Sequence, residues 1–167
     1  SIPGRPPLQQ RILDVMVPEI RIAYLTQRAL VGEAKDSPLP ALLKKEMEFE
    51  REFVKAGGLL IAGPDPTGYG GVVAGFGDQR EVELLVEAGF TPLEAIKIAT
   101  SNGALYLGEV DRIGTLAAGK QADMVLIKGN PAKDIAHIEK VELVFKDGIG
   151  YDSTKLIEAV RDSVGIR

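Results

Sequence analysis

The segment Leu59-Leu60-Ile61-Ala62 constrains this chain more than any other. Its four apolar residues lack polar alternation, and it runs directly into Gly63-Pro64-Asp65-Pro66-Thr67-Gly68-Tyr69-Gly70-Gly71. An unbroken apolar run suits a strand covered on both faces, as in a parallel sheet. The glycines and prolines that follow dictate an irregular loop. Upstream, Leu42, Leu43, Met47, Phe49, Phe53 and Val54 form a broad stripe among charged residues, which predicts an amphipathic helix closed by Gly57-Gly58. A helix followed by a buried strand is half of an α/β unit.

The surrounding sequence extends that pattern. Apolar spacing between Leu8 and Leu30 is helical and Pro18 splits it, predicting two short helices. A helix is predicted from Gln79 to Ala88, with Asp78 as N-cap and Gly89 at the stop. Thr91-Pro92-Leu93-Glu94 has the form of a capping box and predicts a helix to about Ala99, with a last turn through Leu107 after Ser101-Asn102-Gly103. Beyond Glu109 the character changes. Ile113 to Leu116, Ala122 to Ile127 and Val141 to Phe145 are strand-like, separated by glycine-rich turns such as Asp147-Gly148, and a closing helix is expected from Ser153 to about Val164. The chain therefore divides into residues 1–108, a small β region over 109–152, and a terminal helix over 153–167.

Inventory removes several function classes. The 167 residues contain no cysteine, so disulfides, Cys-ligated zinc and thiol catalysis are excluded. The net charge is -4 with no dense basic run, which argues against nucleic acid as a partner. No stretch is long enough to span a bilayer, so a soluble chain with no membrane partner is expected, its compartment open and the cytoplasm favoured. Gly75-Phe76-Gly77 lacks the third glycine of a dinucleotide fingerprint and no strand precedes it directly.

Asp65 is the candidate for chemistry, because it lies just past the carboxyl end of the expected strand, where α/β folds gather ligands and catalytic groups. On local sequence alone it is equally a turn-forming residue between two prolines. The loop after it, with Thr67, Gly68 and Tyr69, is either a substrate border or a surface loop. His137, the one histidine, stands outside any ligand cluster and reads as structural. Glu81, Glu83 and Glu87 read as a solvated helix face, and the mixed charges of Lys44, Lys45, Glu46, Glu48, Glu50, Arg51 and Glu52 as pairs within one helix.

A set of motifs separates these readings. Gly63-Pro64-Asp65-Pro66-Thr67-Gly68, the run from Glu83 to Ile96, Ala99-Thr100, Leu107-Gly108, Ile113-Gly114-Thr115-Leu116, Gly119-Lys120-Gln121-Ala122-Asp123 and Gly129-Asn130-Pro131 together resemble the end of an amidohydrolase-superfamily enzyme of the imidazolonepropionase-like branch. The resemblance implies an α/β fold: the last strand and flanking helices of a (β/α)8 TIM-like barrel plus part of a small C-terminal β-sandwich. It also implies hydrolysis of amide or cyclic amide C–N bonds in a small-molecule or peptide-like substrate, by water activated on a divalent metal, zinc being the expected ion. In that family an aspartate after the eighth strand binds the metal and accepts a proton from its water; here it maps onto Asp65, and Thr67, Gly68 and Tyr69 would border the substrate.

This sequence departs from the family pattern in having none of the family's histidine ligands, and in carrying Pro64 where relatives often have a small polar residue. A closed barrel takes about 250 residues. The chain is thus expected to be the C-terminal portion of the enzyme, inactive and metal-free alone, and to form homo-oligomers through the exposed edge of its orphan strand. The alternative is a non-catalytic α/β assembly module.

Overall fold

The computed structural model describes residues 9–33, 36–66 and 72–164. Helix α1 (Gln10–Val15) ends where Met16 turns extended, and Pro18 opens α2 (Pro18–Glu33) in the first-turn position that proline tolerates. Helix α3 (Leu39–Lys55) follows the Pro38 breaker, and α4 (Phe76–Glu87), α5 (Pro92–Ile98) and α6 (Ser101–Tyr106) form the middle of the chain. Three antiparallel strands, β1 (Met124–Ile127), β2 (Val141–Lys146) and β3 (Ile149–Asp152), make one sheet in the order β1-β2-β3. Helix α7 (Ser153–Ala159) closes the element order, and a 3-10 helix, Ile135–Glu139, joins β1 to β2.

The expected buried strand is the main correction. Residues 59–62 have no regular secondary structure and belong to no sheet. Leu60 and Ala62 pack against the core formed by Val82, Leu85, Ala88, Phe90, Ala95 and Ile98, whereas Leu59 and Ile61 point outward, 41% and 40% exposed. Asn102 Nδ2 donates to the Leu60 carbonyl at 2.8 Å and ties the segment to α6. A four-residue apolar run signals burial without revealing whether neighbouring strands exist. Its side chains alternate inward and outward, the period of a strand.

Other boundaries moved for local reasons. Helix α4 starts at Phe76 rather than Gln79: Gly75 takes the cap with φ 81°, and Asp78 accepts the Gly75 N–H at 2.9 Å from the third helical position. Asp78 therefore closes the first turn instead of capping it. Residues 113–116, expected as strand-like, are bends over 113–115 and irregular at 116, with Ile113 N–H bonded to the Glu109 carbonyl at 2.9 Å. Strand β3 and the 3-10 helix are too short to leave a periodic signal. The Asp147-Gly148 turn does place β3: both residues have positive φ, 53° and 80°, as a tight hairpin of the right twist requires. Helix α7 stops at Ala159 rather than Val164, because Val164 instead forms a parallel bridge with Met16 and its N–H bonds the Val15 carbonyl at 2.8 Å.

That bridge ties the two ends of the described chain into a second core of Leu13, Val15, Met16 and Val73. The first core reaches the β region through Ile135 and Ile138 of the 3-10 helix. The Gly119–Asp123 block is structural: Lys120 Nζ donates to the Val110 carbonyl and to Thr115 Oγ1, and Asp123 accepts the Asp147 N–H at 2.8 Å while pairing with Lys146 at 2.6 Å.

The Thr91–Glu94 capping box forms as expected, with Glu94 Oε2 accepting both the Thr91 N–H and its hydroxyl at 2.7 Å. These bonds, the backbone one first, hold the Glu94 carboxyl below its ordinary range. Leu85→Ala is expected to cost about 3 kcal/mol in urea unfolding, from lost burial plus a residual cavity, and Thr91→Ala about 1 kcal/mol from the lost cap. A depressed carboxyl stabilises the fold above its unfolded pKa and loses that effect as pH falls through the folded value. The stability advantage of the wild type over Glu94→Gln should therefore shrink in acid.

Candidate active site

Asp65 follows the apolar segment after Gly63-Pro64 and is exposed at the mouth of a cleft of about 460 Å³. The cleft wall brings together groups far apart in sequence: Arg11 and Arg28 from the first two helices, Arg80 and Glu81 from α4, and Glu139 from the 3-10 helix. Sequence reasoning singled out none of the arginines for this role. The spacing between α1 and Asp65 leaves no local signal, and only the docking of α1 and α2 makes the contact.

The cations are engaged by the protein itself. Arg11 Nε donates to Gln9 Oε1 at 2.6 Å, its Nη1 to the Glu139 carbonyl at 3.2 Å and its Nη2 to Gln79 Oε1 at 3.3 Å. It also pairs with the Glu139 carboxylate at 3.4 Å, with its guanidinium 5.3 Å from the centre of the Phe76 ring. Arg80 grips Glu87 through two bonds of 2.7 and 3.0 Å and Glu83 through one of 3.0 Å. Arginines fixed in this way shape the cleft wall and offset its carboxylates.

A larger cavity, about 780 Å³, lies between the sheet face carrying Val125, Ile127 and Val144 and the α7 residues Leu156, Ile157 and Val160. Asp65 does not line it. Its walls are mainly apolar, but it shares Arg11, Gly63, Pro64, Glu81 and Glu139 with the smaller cleft and so adjoins it; Asp65 itself lies on the smaller cleft.

The predicted substrate-border residues Thr67, Gly68 and Tyr69 lie outside the described residues. Among the described residues no group of three or more His, Asp or Glu side chains is placed to hold a metal ion. The donor set around Asp65 thus does not fit a metal centre by itself. His137 has the structural role expected of it, its Nδ1 accepting the Asn130 N–H at 3.0 Å.

The acidic face of α4 differs from its expected solvated state. Glu83 retains 13% side-chain exposure against Arg80, and burial raises its carboxyl above the ordinary range despite that partner. Burial, with Asp78 and Glu46, raises Glu81; burial, with Glu46 and Glu81, raises Glu50 on α3. The helix turns this face toward α3 and the 3-10 helix, whose carboxylates add like charge. A carboxyl raised in the fold weakens the native state once pH exceeds the unfolded value, and the penalty vanishes in acid. Glu81→Gln and Glu50→Gln are each expected to raise the melting temperature by about 2 °C at pH 7, a modest value for groups this open to solvent. The gain should fade as pH falls below the ordinary glutamate range, which thermal melts across pH would reveal.

Comparison with known proteins follows the same line. Residues 69–149 match the amidohydrolase family. Ochratoxinase of Aspergillus niger is 32% identical over 142 residues, covering 77% of this chain and 28% of that enzyme. Imidazolonepropionase of Herpetosiphon aurantiacus is 26% identical over 142 residues, covering 80% of this chain and 32% of that protein. The crystal structure of a putative prolidase from Bifidobacterium longum superposes with a TM-score of 0.54 at 33% identity, over 66% of this chain and 28% of that one. The chain spans about a third or less of the length of these relatives. Shared blocks along most of the sequence, and a fold common to the superposed part, assign it: the chain belongs to the amidohydrolase superfamily.

Proposed function

We propose that this chain is the C-terminal portion of a hydrolase acting on C–N bonds, and that Asp65 is its contribution to the catalytic centre. The observation that carries the reading is the position of Asp65: directly after an apolar segment, at the mouth of a polar cleft. The named relatives support the reaction class, since ochratoxinase, imidazolonepropionase and prolidase are hydrolases of amide or cyclic amide bonds. On this reading residues 59–62 are the last strand of a (β/α)8 barrel, residues 109–152 belong to a small β-sandwich, and Thr67, Gly68 and Tyr69 border an amide or peptide-like substrate.

The centre itself requires partners that this chain does not bring together. A catalytic zinc usually takes three protein ligands, and among the described residues no group of three or more His, Asp or Glu side chains is placed to hold an ion. No catalytic step is therefore assigned to the 167 residues alone; they are proposed to be metal-free and inactive. Within a complete centre, Asp65 would supply one anionic oxygen ligand and a base positioned beside the reacting water. The rival reading, a self-sufficient assembly module, is disfavoured by the apolar segment 59–62, which carries outward-facing leucine and isoleucine and joins no sheet.

The test compares this chain with a protein of the relatives' length that ends in it. Elemental analysis should find a divalent metal in the longer protein only, and hydrolysis of N-acyl amino acids or dipeptides should fall by about 10²-fold or more in Asp65→Asn, which keeps the shape and loses the base. Full activity and metal content in Asp65→Asn would refute the assignment. So would chelator-sensitive hydrolysis by the 167-residue chain.

A further inference from the structure

Leu60 and Ala62 hold segment 59–62 against the core, and apolar contact of this kind is non-directional. It keeps the segment down without fixing its rotation or its register over the helices beneath. A directional bond does that, and it comes from a distant part of the chain. Asn102 Nδ2, on α6, donates to the Leu60 carbonyl at 2.8 Å across 42 positions of sequence. In a sheet a neighbouring strand would donate to such a carbonyl; here a side-chain amide does so. The donor stands on a fixed support. Thr100 ties the start of α6 to α5, its hydroxyl donating to the Ile96 carbonyl at 2.6 Å and its N–H to the Lys97 carbonyl at 3.3 Å. From the other side Gly114 presses on α6 so closely that a methyl group there would collide with Ala104 Cβ and come within 3.1 Å of Ser101 Cα.

We propose that Asn102 is a positioning residue for Asp65. The inference rests on the reading of Asp65 as the catalytic carboxylate and adds what aims it. The chain between Leu60 and Asp65 transmits a displacement because few of its torsions are free. Pro64 and Pro66 lock φ on either side of Asp65. Asp65, as the residue before a proline, is itself confined to the β and polyproline region. The place of Leu60 over the core therefore decides where the Asp65 carboxylate emerges at the cleft. Asn102 lines neither the cleft nor the larger cavity, so it acts through the segment and not on a substrate. Asparagine suits the task, because its amide donates without charge from a short side chain, and the bond to Leu60 offsets its weak helix preference.

Asn102 variants test this in the 167-residue chain and in the longer protein that ends in it. In the 167-residue chain, Asn102→Ala should move the Leu60 carbonyl carbon resonance upfield, as loss of its donor requires, a readout that needs neither metal nor activity. In the longer protein, Asn102→Asp keeps the size and replaces the donor by an oxygen. It should lower kcat about 10- to 100-fold, the loss that a misplacement of about 1 Å brings, with KM little changed. Asn102→His, whose Nδ1–H stands the same number of bonds from the backbone as Nδ2, should recover most of that loss. A merely structural Asn102 would lower the melting temperature and leave kcat below it unchanged. An unmoved Leu60 resonance overturns the proposal, as does wild-type kcat in Asn102→Asp or a histidine variant no better than the aspartate one. Asp65→Asn assayed alongside separates the two ideas: activity kept there refutes the catalytic carboxylate, whereas activity lost there and kept in Asn102→Asp refutes the positioning role alone.

Discussion

The apolar cluster shared by α4 and α5 holds the described chain together. Ala95 has no exposure at all, and Leu85, Phe90 and Ile98 close around the same centre. Three other parts reach this cluster through a small number of apolar side chains, α3 through Met47 and Val54, segment 59–62 through Leu60 and Ala62 and the β region through Ile135 and Ile138, while α1, α2 and the chain after α7 gather on the second core. The two helices join through only Ala88, Gly89, Phe90 and the Thr91 cap, and so short a connection brings them together with Ala95 fully enclosed. The position of Asp65 is inherited from this packing, since inward-facing Ala62 fixes where the backbone emerges three residues later.

A second set of constraints is electrostatic. Arg11 joins three parts of the structure at once, touching Gln9, the 3-10 helix at Glu139 and α4 at Gln79, while stacking on Phe76. Guanidinium suits this task because its donors are fixed in a plane and its faces remain free for an aromatic ring. The same region pushes several carboxyls upward. Glu81 and Glu83 are drawn out of water by the helix packing, and Arg80 offsets this only for the glutamates it touches. The wall beside Asp65 is thus built from compensated charge rather than from a surplus of either sign.

The sequence was most legible where a local rule decides the outcome. Thr91, Pro92 and Glu94 specify a helix start by their own hydrogen bonds, and the structure has it at that residue. Pro18 separates α1 from α2 for an equally local reason, the missing N–H. Legibility failed where the outcome depends on distant chain. Leu59 to Ala62 is apolar enough for a sheet centre, yet strand pairing requires neighbours that four residues cannot announce. Ile149-Gly150-Tyr151-Asp152 is a strand only because the Asp147-Gly148 turn folds it onto β2. Arg11 and Arg28 reach the cleft only through the docking of α1 and α2, and nothing in their immediate sequence marks them. Asp65 stands out in the sequence by its place after an apolar run; in the fold that run is not in a sheet, and Asp65 lies exposed on the polar cleft.

A carboxylate acts as ligand or base only when other groups fix the reacting atom against it, and proximity contributes many orders of magnitude in rate only at bond-forming geometry. On this chain the neighbouring acids, Glu81 and Glu139, line the same cleft but form no cluster with Asp65 able to share an ion, while the arginines are bound to protein partners. The cleft therefore has the polarity of a functional site without a complete donor set. The apolar segment behind it is in the parallel condition: it has one packed face, one exposed face and, among the described residues, no strand beside it. Both features fall at the same point of the chain, on either side of Gly63, so on the proposed reading one set of neighbours would both flank the segment and complete the donor set.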